Sequence, residues 1–154
     1  MGQLFQFQGI GQAQISDRKP KLKDGFVGVV ELIRTEVKRT RNAGDKLFVE
    51  FRLCDTNMAQ VHPLGQECSW GQSLLDQNVA NGSLKRFLAA VAGIQVDNKE
   101  QMAALEAHMD NILNAAIASP EQNQLIGRRV RVETMQTKTG NNRDFMVHNW
   151  YPLT

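Results

Sequence analysis

The sequence is poor in cysteine: Cys54 and Cys68 are the only two in 154 residues. They form no C-x-x-C pair, and a chain of this length can bury a core without a disulfide staple. Cys54, His62 and Cys68 make a loose trio with no evident fourth ligand, so no metal is expected and both thiols should behave as small buried hydrophobes. Long apolar runs are missing as well. Met1–Gly11 has no basic segment followed by an apolar one, and no stretch is long enough to span a bilayer as a helix. The expectation is a reduced, cytoplasmic protein with no membrane partner. Paired carboxylates, a Gly-rich phosphate loop and an H-E-x-x-H pattern are all absent, and the three histidines (His62, His108, His148) are scattered. An enzyme is therefore not expected, nor is a cofactor.

A strong net charge is also lacking. The formal value is +2, too small to argue for a polyanionic partner. Its distribution is more informative. Residues 1–52 carry ten Lys/Arg and six Asp/Glu, residues 53–127 three and eight, and residues 128–154 five and two. Two basic flanks thus enclose an acidic middle, which can create a positive face on a nearly neutral molecule.

What is present is a globular composition, 42% hydrophobic and 22% charged, with no internal repeat or low-complexity tract. Residues 1–24 are Gln/Gly-rich and then basic (Arg18, Lys19, Lys21, Lys23) and read as an N-terminal arm, with a short strand at Leu4–Phe7. Residues 25–154 read as one domain. Phe26, Val27, Val29, Val30, Ile33, Thr35 and Val37 predict a long first strand, and the slip in alternation near Glu31–Ile33 predicts a bulge. A turn at Asn42–Asp45 leads to a second strand with Leu47, Val49, Phe51 and Leu53 on one face and Phe48, Glu50, Arg52 and Cys54 on the other. A third strand is expected over about 66–71. A helical insertion follows over about 79–118. Its first helix carries the stripe Leu84, Phe87, Leu88, Val91 and is capped by Gly93. Its second opens at Asp97 with Glu100 and carries Met102, Leu105, Met109, Ile112, Leu113 and Ala116 to Ser119-Pro120. Arg129–Glu133, a turn at Gly140-Asn141-Asn142 and a return strand over 143–151 make a last hairpin. Three strands, a two-helix insertion and two more strands is the connectivity of a five-stranded OB-type β-barrel, a mainly β fold with added helices.

Single-stranded nucleic acid needs cations for its phosphates and flat side chains for its bases. The first hairpin offers Arg34, Lys38, Arg39, Arg41, Lys46 and Arg52, with Phe48 among them. The last offers Arg129, Arg131, Lys138 and Arg143, with Trp150 and Tyr151 on the return strand; Trp70 closes the third strand. These are the candidate phosphate and stacking residues. Against this stands the plainer reading, in which the cations are a solvated outer face and Trp70, Trp150 and Phe145 belong to the core. The acidic insertion should lie away from a bound strand, with its Met/Leu stripe packed on the barrel or on another subunit.

The order of segments resembles bacteriophage-encoded single-stranded-DNA-binding proteins with an OB fold. The resemblance runs over about residues 9–152. It rests on Gly9-Ile10-Gly11-Gln12-Ala13, Asp24-Gly25-Phe26, Phe48-Val49-Glu50-Phe51, Gly65 through Cys68-Ser69-Trp70, the segment 83–90 (Ser-Leu-Lys-Arg-Phe-Leu-Ala-Ala), Ile126 to Val130, Thr137 to Gly140, and Val147 to Pro152. It implies sequence-independent coating of single strands in phage DNA replication and recombination, in the host cytoplasm. Single-stranded DNA is the implied partner, and a homo-oligomer and phage replication or recombination proteins are further candidates. The sequence reaches Thr154 without the acidic tail by which many cellular single-strand binders recruit partners. An adaptor of the phage particle that binds no DNA is the alternative reading, and a duplex-DNA or RNA accessory factor a third.

Overall fold

Alternation of β-branched and aromatic residues with polar ones sets the strands, and the burial pattern follows it. The structure, a computed structural model, describes Gln6 and residues 19–40, 44–138 and 144–153. Within these, five strands form one antiparallel sheet: β1 (Val27–Thr40), β2 (Gly44–Thr56), β3 (Glu67–Ser73), β4 (Arg129–Lys138) and β5 (Asp144–Tyr151). In β2 the set Leu47, Val49, Phe51, Leu53 is buried while Phe48, Glu50, Arg52 and Cys54 face outward. The expected bulge in β1 is present: the pairing with β2 shifts between Val29 and Val30 and again between Leu32 and Arg34, so Ile33 has no partner.

The strand order is β3-β2-β1-β4-β5, which leaves β3 and β5 as the two edges. No rung of backbone hydrogen bonds joins them among the described residues, so the sheet is open and not a closed barrel. It nevertheless curls far enough for its edges to touch through side chains. The indoles of Trp70 on β3 and Trp150 on β5 lie 5.0 Å apart, centroid to centroid.

Three helices connect β3 to β4: α1 (Gln77–Val91), α2 (Lys99–Glu106) and α3 (Met109–Ala118), followed by a short 3-10 turn at Pro120–Gln122. In α1, Leu84, Phe87, Leu88 and Val91 are buried at the expected spacing, and Phe87 packs on both Trp70 and Trp150. Gly93, with φ +77, ends it; the Ile94 N–H donates to the Ala89 carbonyl and the Gly93 N–H to that of Ala90. The second expected helix is two. The chain turns at Ala107–His108, because Met102 packs toward α1 while Ala116 packs toward β1, where its carbonyl accepts the Thr35 hydroxyl at 3.1 Å. One straight helix cannot face both surfaces. Its N-cap is Asn98, accepting from the Gln101 N–H, and not Asp97. No described helix is long and apolar enough to cross a membrane.

Residues 19–25 are docked on the domain. The Ser69 N–H donates to the Pro20 carbonyl, Leu22 is buried, and the Gly25 N–H donates to the Thr134 carbonyl. This strap runs from edge strand β3 to β4 and is held midway by buried His62. The Lys23 N–H donates to Nε2 of that ring at 3.0 Å, and Nδ1 lies 2.7 Å from Gln66 Oε1. A backbone N–H can only donate, so Nε2 carries the lone pair and Nδ1 the proton. The strand expected at Leu4–Phe7, and both hairpin turns apart from their flanking residues, lie outside the described residues.

Candidate nucleic-acid interface

Most of the expected phosphate ligands are already paired along the sheet. Strand neighbours two apart share a face, which puts Arg34 and Lys38 on Glu36 (2.8 and 3.0 Å) and Arg131 on Glu133 (2.8 Å). Across strands, Glu31 on β1 lies between Arg52 on β2 (3.8 Å) and Arg129 on β4 (3.4 Å), and Arg39 reaches Asp45 at 3.4 Å. These pairs are exposed, and each contributes no more than about 1 kcal/mol. They neutralise the outer face of the β2-β1-β4 sheet without locking it. Arg41 and Arg143 lie outside the described residues.

Two of the expected cations differ. Lys46 and Lys138 make no ion pair among the described residues. Lys46 borders a cleft of about 400 Å³ between the β3 and β5 edges, and so does Lys21 of the strap. Burial in the cleft, and secondarily the charge of Lys21, pull the Lys46 ammonium below its usual pKa. Two cations converging on one partly desolvated groove are an electrostatic fit to an anion.

The aromatic expectations divide. Trp70 and Trp150 are 5% and 2% exposed, so neither presents an open face to a base. This corrects their assignment as stacking residues. Sequence places both next to basic strands, but the sheet curl turns them inward, where with Phe87 they fill the gap between the sheet edges. Tyr151 is half-buried opposite Arg131 and is not among the residues lining the cleft. Phe48 is half-buried on the outer face, with the Lys46 ammonium 5.7 Å from its ring centroid. It sits opposite Gly71 of β3, where a Cβ would come within 3.2 Å of the ring. The glycine leaves room for the phenyl and the lysine stem to lie flat.

Phe145, Lys21, Gly71 and His148 were not on the expected list. Phe145 is 54% exposed and lines the cleft. Its alternation out of phase with Trp150 was the available signal, since residues 145 and 150 must face opposite sides of a regular strand. His148 also lines the cleft. Its ring stands 6.0 Å from Trp70 and is nearly parallel to Trp150, and its two nitrogens are buried without a hydrogen bond of good geometry. Burial first, then the charge of Lys21, push its pKa down to about 4 against a weaker opposing hydrogen bond with the Met146 backbone, so the ring is neutral near pH 7. The acidic segment is not wholly remote: Asp76, just before α1, lines the cleft with Asp144.

Cys54 is partly exposed and Cys68 buried, the latter with its pKa pushed up to about 11 by burial. Among the described residues, no group of three or more His, Cys, Asp or Glu is placed to hold a metal. No protein-family model matches the chain, and no curated protein matches it either.

Proposed function

We propose that the protein binds single-stranded DNA, largely without regard to sequence, in the cleft between β3 and β5. The observation that carries this reading is the convergence of Lys21 and Lys46, which make no ion pair among the described residues, with exposed Phe145 along one groove at the sheet edges, next to which Phe48 lies under the Lys46 ammonium. Cations for phosphates beside open aromatic faces are what a single strand requires. The architecture supports it. The order β3-β2-β1-β4-β5, with the edges meeting through Trp70 and Trp150, fits an OB-type barrel whose last seam is closed by side chains. OB folds bind oligonucleotides on the strand 2–3 face between the first and last hairpin loops, and Lys46, Gly71 and Phe145 fall in that region. A role in phage DNA replication or recombination follows from the resemblance of the sequence.

The test is a titration of the full chain with oligo(dT) and with duplex DNA at two salt concentrations, followed by intrinsic tryptophan emission. Trp70 borders the cleft and should report occupancy. Binding to oligo(dT) should exceed duplex binding and weaken with salt, and the F145A variant should lose about 1–3 kcal/mol, one stacked base. Equal or absent binding to oligo(dT) sinks the reading. Salt-insensitive self-association without DNA affinity would favour a particle adaptor, for which exposed Met135 and Phe145 on the last hairpin, with Leu64 and Leu75 elsewhere, offer apolar surface.

A further inference from the structure

The domain holds two imidazoles in opposite states, His62 buried and His148 half-buried. His62 has a partner on each nitrogen. His148 has both nitrogens removed from solvent and, apart from a weak contact with the Met146 backbone, no hydrogen bond of good geometry among the described residues. A buried polar group without a partner costs about 1–3 kcal/mol, so a site that retains one calls for a specific reason. The position of His148 supplies it. The ring lines the cleft, flanked by Trp70 and Trp150, with Lys21 and Lys46 as the cleft's cations and exposed Phe145 on the same strand.

We propose that His148 is a base-reading group: one nucleobase of the bound strand enters the cleft, the imidazole turns toward it, and the base edge hydrogen-bonds to one ring nitrogen. This deepens the single-strand reading and rests on it. A neutral imidazole offers one donor and one acceptor that point to different sides of the ring, so it meets a base edge through one nitrogen at a time; for thymine the N3–H donates to the unprotonated nitrogen. The charged groups that share the cleft are Lys21 from the strap, Lys46 from β2, Asp76 before α1 and Asp144 at the start of β5. The lysines suit the phosphates on either side of the inserted base. Binding therefore has a sequence-indifferent part, from phosphates and stacking, and a part at one position that senses the hydrogen-bonding edge of the base.

The experiment compares oligo(dT) with the same oligomer carrying N3-methylthymine, which keeps the ring and removes the N3–H donor, on wild type and on H148F. Wild type should lose about fivefold or more in affinity on methylation, the range of one net hydrogen bond. H148F should bind the two oligomers alike and keep the salt dependence of wild type. Separately, the side-chain nitrogen resonances of His148 in the wild-type chain should move on adding oligo(dT) and stay in place with an abasic oligomer, a readout that does not depend on a variant folding. An equal methylation penalty in wild type and H148F, or resonances that ignore the oligo(dT) base, overturns the proposal while leaving strand binding intact. Absence of oligo(dT) binding to wild type overturns both.

Discussion

At the residue scale the instructive contrast is between charge number and charge availability. Arg34, Lys38, Arg39, Arg52, Arg129 and Arg131 look like a phosphate track in sequence, yet each has a carboxylate in reach. Lys21 and Lys46 lack one among the described residues and face the cleft. His148 has a consequence for stability as well. Its folded pKa of about 4 lies below the ordinary 6.5, so between these values the unfolded chain binds a proton that the folded chain does not. Stability attributable to this group is intact above pH 6.5 and is lost as pH falls toward 4. Going from pH 7 to 4.5, the loss should be about 2 kcal/mol, one pH unit of linkage being worth about 1.4 kcal/mol. Urea unfolding of wild type and H148F at these two values measures it. The carboxylates contribute alike to both proteins, so the variant should lose about 2 kcal/mol less. An identical acid loss in the two would mean that the ring is not held neutral by burial.

At the element scale, β2 and β3 form the wall on which the site depends, and Gly71 sets its relief. A Cβ there would meet Lys46 Cε at 2.7 Å and Phe48 Cε1 at 3.2 Å, both on the far parts of flexible side chains. The backbone of β3 gains from a β-branched residue, because glycine weakens a strand interior. G71V should therefore fold with unchanged or higher Tm while displacing the lysine and the phenyl. Its oligo(dT) affinity should fall by about 1–3 kcal/mol, the scale of one stacked base, as read by the tryptophan titration. A variant that binds as wild type would remove Phe48 and Lys46 from the interface. The same strands show how far sequence reaches. The inward face of β2 and the bulge of β1 are legible because period two and its slip are local properties. The i, i+2 pairs of Glu36 with Arg34 and Lys38, and of Glu133 with Arg131, were legible on the same ground. The Arg52–Glu31–Arg129 chain was not, since it needs the register of three strands. Nor was the break at Ala107–His108, where the apolar stripe runs on and only the positions of α1 and β1 force the turn.

At the scale of the whole molecule, the strap, the edges of the sheet and α1 act together. Residues 19–25 cross from β3 to β4, and Phe87 of α1 packs on the two indoles that join the edges. What the sequence divides into arm, barrel and insertion thus meets at one groove, and this determines how the molecule should respond to salt. Each phosphate neutralised on a single strand contributes about −0.7 to the slope of log K against log salt concentration. If all ten expected Lys/Arg engaged phosphates, the slope would be about −7. If only the cations without a described carboxylate partner that line the cleft or flank the hairpin turns engage (Lys21, Lys46 and Lys138, with Arg41 and Arg143 as additions), it should lie between about −2 and −3.5. The exposed ion pairs keep the other six engaged with Glu or Asp, at a cost of about 1 kcal/mol or less each to release. A K21Q/K46Q double variant should flatten the slope by about 1.4, two phosphates' worth, whereas R34Q/K38Q should leave it unchanged. Oligo(dT) titrations of these three proteins over a series of salt concentrations measure both quantities. A wild-type slope near −7, or equal flattening by the two double variants, would place the strand on the outer sheet face and not in the cleft.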